Sequence, residues 1–415
     1  MNSKLIRNFS LAICLVLIGG LVGYKFGTNQ IDFALKNNFP VVTIVNKETP
    51  KDKTVDFRLF WDVWEEVSAK YVDKSKIDQQ KMVYGAISGM VSAVGDPYTL
   101  FLPPQANKDS KGDLNGTFEG IGAQLGVKDK RIVVIAPIAD SPAQKAGVRT
   151  GDWIIKVDGK ETANWTLPGT VAKIRGDRGS SVTLTVLHTD DEKPLDIKIV
   201  RDTVVLKSVD WKLYSSTASA SLKPAAYLQL SRFGDRTDPQ WDNSVAAIAG
   251  YMATSSAKTS GVILDLRNNP GGYLVGAVYV ASEFMPSGVV VKQVDYKANT
   301  QTYSVDRKGN LLDAPLVVLV NQGTASAGEI LAGALQASKR AKVVGMQTFG
   351  KGSVQSTEDL PGGAGMHITV AKWLLSNDFW VNGTGLTPDI KIDNDEKDPT
   401  RDFQLEKALE VLNQK

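Results

Sequence analysis

Leu316-Val317-Val318-Leu319-Val320 is an unbroken apolar run at the head of the stretch Pro315–Gln355, and it limits the fold more than any other part of the chain. A run of this length reads as a buried strand, which the turn-forming Asn321-Gln322-Gly323 ends. Small residues follow, Thr324-Ala325-Ser326-Ala327-Gly328, then a helical pattern from Glu329 to Ser338. A second apolar run opens at Val343-Val344 and closes in Gly350-Lys351-Gly352. A strand that feeds a small-residue turn at the mouth of a helix can expose a nucleophile, and the first helix amides favour developing negative charge. Ser326 stands in that place.

The chain holds two histidines, and neither suits a Ser-His-Asp triad. His188 ends the alternating run Val182–Leu187 and His367 lies within another, Met366–Val370, so both read as strand residues. A nucleophilic serine would need another base, and a lysine whose pKa is lowered by desolvation can serve. Lys351, held between two glycines, is the candidate. From pattern alone two readings stand side by side: a catalytic pair, or a helix cap with a solvated turn.

A net charge of +3 over 415 residues gives no argument for nucleic acid, and no dense basic stripe appears. The single cysteine, Cys14, excludes intrachain disulfides, and two separated histidines give no zinc-site spacing. No metal and no cofactor are expected. Lys4 and Arg7 precede the uncharged segment Asn8–Tyr24, apolar from Leu11 to Val22, which is the layout of a secretory signal. No clear small-x-small cleavage site follows, and as a helix the segment would reach about 25 Å, the short end for a membrane span. Residues 1–29 are therefore read as an uncleaved anchor, with the rest of the chain outside the cytoplasm; a cleaved signal stays open.

Residues 30–54, with Pro40 and Pro50, read as a linker. In the helical region 55–105, Phe57, Phe60, Trp61, Trp64, Val67 and Tyr71 recur at helical spacing and form one aromatic face, read as core, with a homodimer contact left open. A second helix runs from Gln79 to Val94, Gly95-Asp96-Pro97 stops it, and Pro103-Pro104 closes the region. Residues 106–205 alternate short strands with glycine turns, and residues 206–415 alternate longer apolar strands with helices, an α/β arrangement. Ser255 and Lys258 match an SxxK spacing, but both lie in one polar connector and no Ser-Asp-Asn accompanies them, so the match is set aside.

Gly120-Ile121-Gly122-Ala123, Ser141-Pro142-Ala143-Gln144-Lys145-Ala146-Gly147, Gly151-Asp152-Trp153-Ile154 and Val157-Asp158-Gly159 resemble a PDZ domain. That resemblance makes Gly120, Ile121, Gly122 and Ala123 the loop whose amides would hold a peptide's terminal carboxylate. Together with Gly261–Gly272, the Ser326 turn and Gly350-Lys351-Gly352-Ser353-Val354-Gln355, the chain resembles the carboxy-terminal processing peptidases, serine endopeptidases that use a Ser-Lys pair. The resemblance runs from Phe57 nearly to the end and includes Gly95-Asp96-Pro97-Tyr98 and Gly383–Asp389.

The resemblance implies Ser326 as nucleophile, Lys351 as general base and Gln355 as the residue that orients the lysine amine, four residues along a strand and so on the same face. It implies an oxyanion hole from the Ala327 amide and one from Gly271 or Gly272, and it gives Arg175 a regulatory role linking peptide docking to the site. Glu329 is read as structural, at the start of the helix. The expected architecture is a multidomain α/β protein with an N-terminal membrane anchor, a small helical region, a PDZ-like β-rich domain and an α/β protease core. The expected partners are protein or peptide substrates with accessible C-terminal tails. The alternative is a catalytically silent peptide-binding adaptor of the same fold.

Overall fold

The computed structural model describes residues 31–36, 39–44, 56–128, 131–138, 140–188, 191–216, 221–254, 259–393 and 401–414. The anchor segment Asn8–Tyr24, Cys14 and the Ser255/Lys258 pair lie outside the described residues. Among the described residues no helix is long and apolar enough to cross a membrane. The chain forms two compact units, Met1–Val83 and Tyr84–Lys415.

In the first unit, Ile31–Lys36 pairs antiparallel with Phe39–Ile44 inside the stretch read as a linker. The helix Arg58–Lys70 carries the aromatic stripe, but it has no buried residue. Phe57, Trp61, Val67 and Tyr71 are all exposed, so the reading of this face as core is corrected. The rings cover one another instead: Phe60 lies edge-on to Trp61 at 4.9 Å, and Trp64 is 6.0 Å from Phe60. Helical spacing shows that a face is apolar, not that anything covers it.

In the second unit, Val91 of the helix Gln79–Ser92 packs with Phe101 and Ala364. Pro104 does not close the helical region but opens the helix Pro104–Leu114, because proline at the first turn loses no helical hydrogen bond. A five-strand path follows: Leu195–Val200, Ser181–Leu187, Trp153–Val157, Arg131–Pro137 and Ala123–Lys128, the last at the edge. Val182, Leu184 and Val186 alternate into its core with Ile154, Ile174 and Ile199. The strands that lead into and out of this module, Thr117–Gly120 and Asp202–Val205, pair with each other, which makes the two connections one ribbon.

The larger sheet has the order Val209–Tyr214, Ala225–Leu230, Val262–Asp265, Leu316–Val320, Lys342–Gly345, Ile390–Lys391, parallel from the second strand on. Its apolar runs are two-sided. Val262, Leu264, Leu316, Val318 and Val343 face the helices Thr237–Thr254, Leu274–Phe284 and Ala327–Ala337. Ile263, Val317, Leu319 and Val344 face Leu405, Ala408, Leu409 and Leu412 of the helix Phe403–Asn413. Helices on both faces are what a parallel sheet requires.

A buried ion network closes the second of these faces. Arg267 pairs with Asp265 at 2.6 Å and with Asp402 at 2.8 Å, and the Tyr227 hydroxyl donates to Asp265 at 2.7 Å. Burial, then the Asp265 carboxylate, push the Tyr227 hydroxyl well above its usual range. Breaking such a pair strands a charge at a cost of about 3–5 kcal/mol, so the network pins the terminal helix to the strand that feeds the site. A second sheet, of Thr300–Ser304, Val289–Asp295, Gly365–Leu374 and Ser353–Asp359, takes Leu100–Leu102 onto Gly365–His367.

Candidate active site

Three loops leave the carboxyl ends of three adjacent parallel strands, where a sheet of this kind opens its crevice. Val262–Asp265 leads to Gly271-Gly272, Leu316–Val320 to the Ser326 turn, and Lys342–Gly345 to Gly350-Lys351-Gly352. Ser326, Gly271, Gly272, Lys351 and Gln355 therefore line one groove of about 930 Å3.

Ser326 caps the helix Ala327–Ala337 with φ 52° and ψ −118°, a region that a residue with a side chain seldom occupies. Strain of this kind costs about 1–3 kcal/mol and persists only where neighbours over-determine it. Here they do. The Ala325 amide donates to the Asn269 carbonyl at 2.9 Å, and the Thr324 hydroxyl to the Leu266 carbonyl at 2.8 Å, tying this turn to the glycine loop. Gly271, at φ 100°, lies so close that a Cβ on it would stand 2.7 Å from the Ser326 Cβ. Only glycine fits there.

The two glycines differ in what their amides do. Gly271 donates to Asn269 Oδ1 at 2.8 Å, so its N–H is taken. Among the described residues the amides of Gly272 and of Ala327, the first residue of the helix, have no partner.

Glu329 joins the two halves of the site. Its fully buried carboxylate accepts from Ser326 N at 2.9 Å and Lys351 N at 2.9 Å through Oε2. Through Oε1 it accepts from Gly350 N at 2.7 Å and the Thr348 hydroxyl at 2.5 Å. Four donors meet a group whose oxygens can all accept.

The Lys351 amine lies 5.0 Å from the Tyr98 ring centroid, and among the described residues it makes no hydrogen bond to Ser326 or to Gln355. Burial lowers its pKa, and the nearby Asp96 carboxylate opposes that shift. Burial works to raise Asp96, but donors from Thr369, Thr99 and the Tyr98 amide carry it below the usual carboxylate range. Asp96, Tyr98 and Thr99 belong to the turn after the helix Gln79–Ser92, and sequence reasoning gave them no role. The signal was present in Gly95-Asp96-Pro97-Tyr98, but nothing in the pattern could say which strand the turn would meet.

Gln355 and Lys351 line the same groove. Lys351 precedes the strand Ser353–Asp359, and the register shift beside Gln355 leaves Val370 of the partner strand unpaired, so the strand that carries Gln355 has no inserted residue. The Gln355 Nε2 donates to Ser353 at 2.9 Å and Thr369 at 3.0 Å. His367 lines the groove with Nε2 3.5 Å from Ser110 Oγ, and its pKa is lowered by burial and then by the Lys351 charge. His188 is elsewhere, buried against Asp152 at 2.6 Å. Among the described residues no cluster of three His, Cys, Asp or Glu could hold a metal.

In the PDZ-like module the Gly120–Ala123 loop runs into the edge strand Ala123–Lys128. Gly122 has φ 75°, and a Cβ there would overlap Ser141. The carbonyls of Ile121 and Gly122 accept from the amides of Ala143 at 2.7 Å and Ile138 at 2.9 Å, which fixes the loop against the helix Pro142–Lys145 and the turn before it. Arg175 ends the helix Leu167–Ile174 with its guanidinium 5.0 Å from the Phe118 ring.

Comparison with known proteins follows this division. A model of peptidase family S41 matches residues 224–392, a PDZ-domain model residues 133–187, and a model of the activating protease CtpB N-terminal domain residues 18–106. The chain is 37% identical over 335 residues to a carboxy-terminal-processing protease of Bartonella bacilliformis, covering 80% of this chain and 74% of that one. It is 30% identical over 411 residues to the carboxy-terminal processing protease CtpB of Bacillus subtilis, covering 99% and 82%. Among solved structures, the photosystem II D1 C-terminal processing protease is 31% identical with a TM-score of 0.50, over 86% of this chain and 96% of that one. A putative S41 protease from Bacteroides fragilis is 15% identical with a TM-score of 0.58, covering 88% and 99%, a likeness of fold.

Glu329→Gln tests the clamp. An amide offers one acceptor oxygen and turns a donor toward donors, so Ser326 and Lys351 lose their common anchor. The expected result is about a 100-fold fall in casein hydrolysis with the far-UV circular dichroism of the parent, since misplacement of about 1 Å costs that much. Parent-like hydrolysis would show that the clamp does not position the site.

Proposed function

The chain belongs to the carboxy-terminal processing proteases of peptidase family S41, and on that premise we propose that Ser326 is the nucleophile of this serine peptidase and Lys351 its base. The observation that carries the reading is the Ser326 turn itself. A strained serine at a helix start, the Gly272 amide without a partner among the described residues and a lysine of lowered pKa share one groove, with the Ala327 amide next to the serine in the chain.

Ser326 Oγ attacks the scissile carbonyl and its proton passes to neutral Lys351 Nζ. The amides of Ala327 and Gly272 receive the oxyanion; Gly271 is set aside because its N–H is already bound. Lys351 returns the proton to the leaving amine, and an acyl-enzyme remains. Lys351 then deprotonates water, which attacks the ester and releases Ser326. Because the amine lies by Tyr98, it must swing toward Ser326 before the first step. The Gln355 Oε1, which accepts from none of the described residues, is the atom it would meet.

The Gly120–Ala123 loop with its free strand edge supports docking of a C-terminal tail as an added strand. Arg175, stacked on Phe118 beside the connecting ribbon, is proposed to leave that ring when a tail binds and to pair near Gln355. The adaptor alternative is not favoured, since it gives no reason to strain Ser326 or to bury the Lys351 amine. Asn8–Tyr24 is proposed to tether the enzyme with its catalytic part outside the cytoplasm.

Ser326→Ala is expected to lower casein hydrolysis by at least about 1,000-fold, and parent-level hydrolysis would end the assignment. The neutral amine is the active form, so the rate should rise with pH through the lysine's lowered pKa. Asp96 favours the ammonium; in Asp96→Asn the midpoint of that rise should move to lower pH, and a shift upward would contradict the argument.

Amidating the C-terminus of an unfolded substrate should slow the parent about tenfold or more, while Arg175→Ala, slow already, should respond less. Equal slowing in both would remove Arg175 from the coupling. The full chain should stay with membranes through alkaline carbonate washing, and its release would favour a cleaved leader.

A further inference from the structure

The catalytic groove has a second basic group that the reaction does not use. Arg232 follows the strand Ala225–Leu230 and precedes Phe233, whose N–H donates to the Gly271 carbonyl at 2.9 Å and whose carbonyl accepts from Tyr273 at 2.8 Å. It is thus one residue from the backbone that shapes the glycine loop against Ser326. Phe233 is buried, whereas Arg232 lines the groove with Ser326 and Lys351.

The third Lys or Arg that lines the groove is neutralised: Lys111 pairs with Asp359 at 2.6 Å. Arg232 has no carboxylate within ion-pair distance among the described residues. Its Nη1 donates to the backbone carbonyl of Asp113 at 2.9 Å, and its Nε is buried without an acceptor. Nη2, which has no acceptor among the described residues, is the donor left for an anion in the groove, and a guanidinium bond to a carboxylate is charge-assisted. Capping the carboxyl end of the helix Pro104–Leu114 accounts for Nη1 and leaves Nη2 unexplained.

We infer that Arg232 is a specificity-determining residue that binds a carboxylate of the substrate chain beside the scissile bond. The inference rests on the reading of this groove as the peptide-cleaving site. The carboxylate comes either from an Asp or Glu side chain or from the terminus of a short tail beyond the cut. Both present the same planar anion to the guanidinium.

The test uses quenched peptides with one apolar core and amidated ends, carrying Asp or Asn at each position flanking the cut. A further pair ends shortly beyond the cut as free acid or amide. For the parent chain kcat/KM should favour one acidic member over its neutral partner by about tenfold. Which pair shows the preference identifies the source. In Arg232→Gln the ratio should fall to about one, and Arg232→Lys, which keeps the charge but loses the guanidinium held by the Asp113 carbonyl, should lie between. Higher salt should shrink the parent ratio.

The same peptides binding to the Ser326→Ala chain give that ratio without turnover. A failure of Ser326 as nucleophile would appear separately, as cleavage by that chain. An acid-to-neutral ratio that Arg232→Gln leaves unchanged would overturn the inference. So would a uniform loss on all peptides with a lowered Tm, which marks a helix cap and nothing more.

Discussion

The Glu329 carboxylate is the contact on which the site's geometry depends. The Ser326 turn and the Lys351 loop come from different strands, and nothing in the covalent chain sets their separation. One buried side chain accepting from both backbones does. Buried away from water, those hydrogen bonds have no solvent competitor, and the four donors make the carboxylate's burial tolerable. The strained backbone of Ser326 is held on one side by this clamp and on the other by Gly271.

The parallel sheet makes the clamp possible. Three neighbouring strands run the same way, so their following loops emerge together at one end, and a fully apolar strand can be covered on both faces. The amine end of Lys351 belongs to a different contact. Tyr98 and Asp96 arrive from the turn after the helix Gln79–Ser92, and Thr99 is bound by the Thr369 amide at 3.1 Å. Burial and the Asp96 charge act on the lysine in opposite senses.

The peptide-binding module connects to this arrangement through a paired ribbon and through the helix Pro104–Leu114. Lys108 of that helix bonds Glu119 at 3.0 Å and Asp177 at 3.2 Å, while Lys111 bonds Asp359 at the end of the strand after Lys351. These are exposed ion pairs, individually worth little. Their position matters more: one helix touches both the module and the strand that carries Gln355. That helix was invisible to a reading that took Pro103-Pro104 as a stop.

The sequence by itself determined the elements and their chemistry. The apolar runs dictated strands buried on both sides, the small-residue turn put Ser326 at a helix start, and two misplaced histidines turned attention to a lysine. These are local properties, set by side-chain size, periodicity and turn chemistry. Only the tertiary structure decided which amides are free, since Gly271 and Gly272 differ by a bond to Asn269. It alone put Tyr98 against Lys351, bonded the Gln355 Nε2 to Thr369, and left the aromatic face of Arg58–Lys70 exposed. Each of these depends on groups far apart in the chain, and periodicity records which face is apolar or polar but not what it meets.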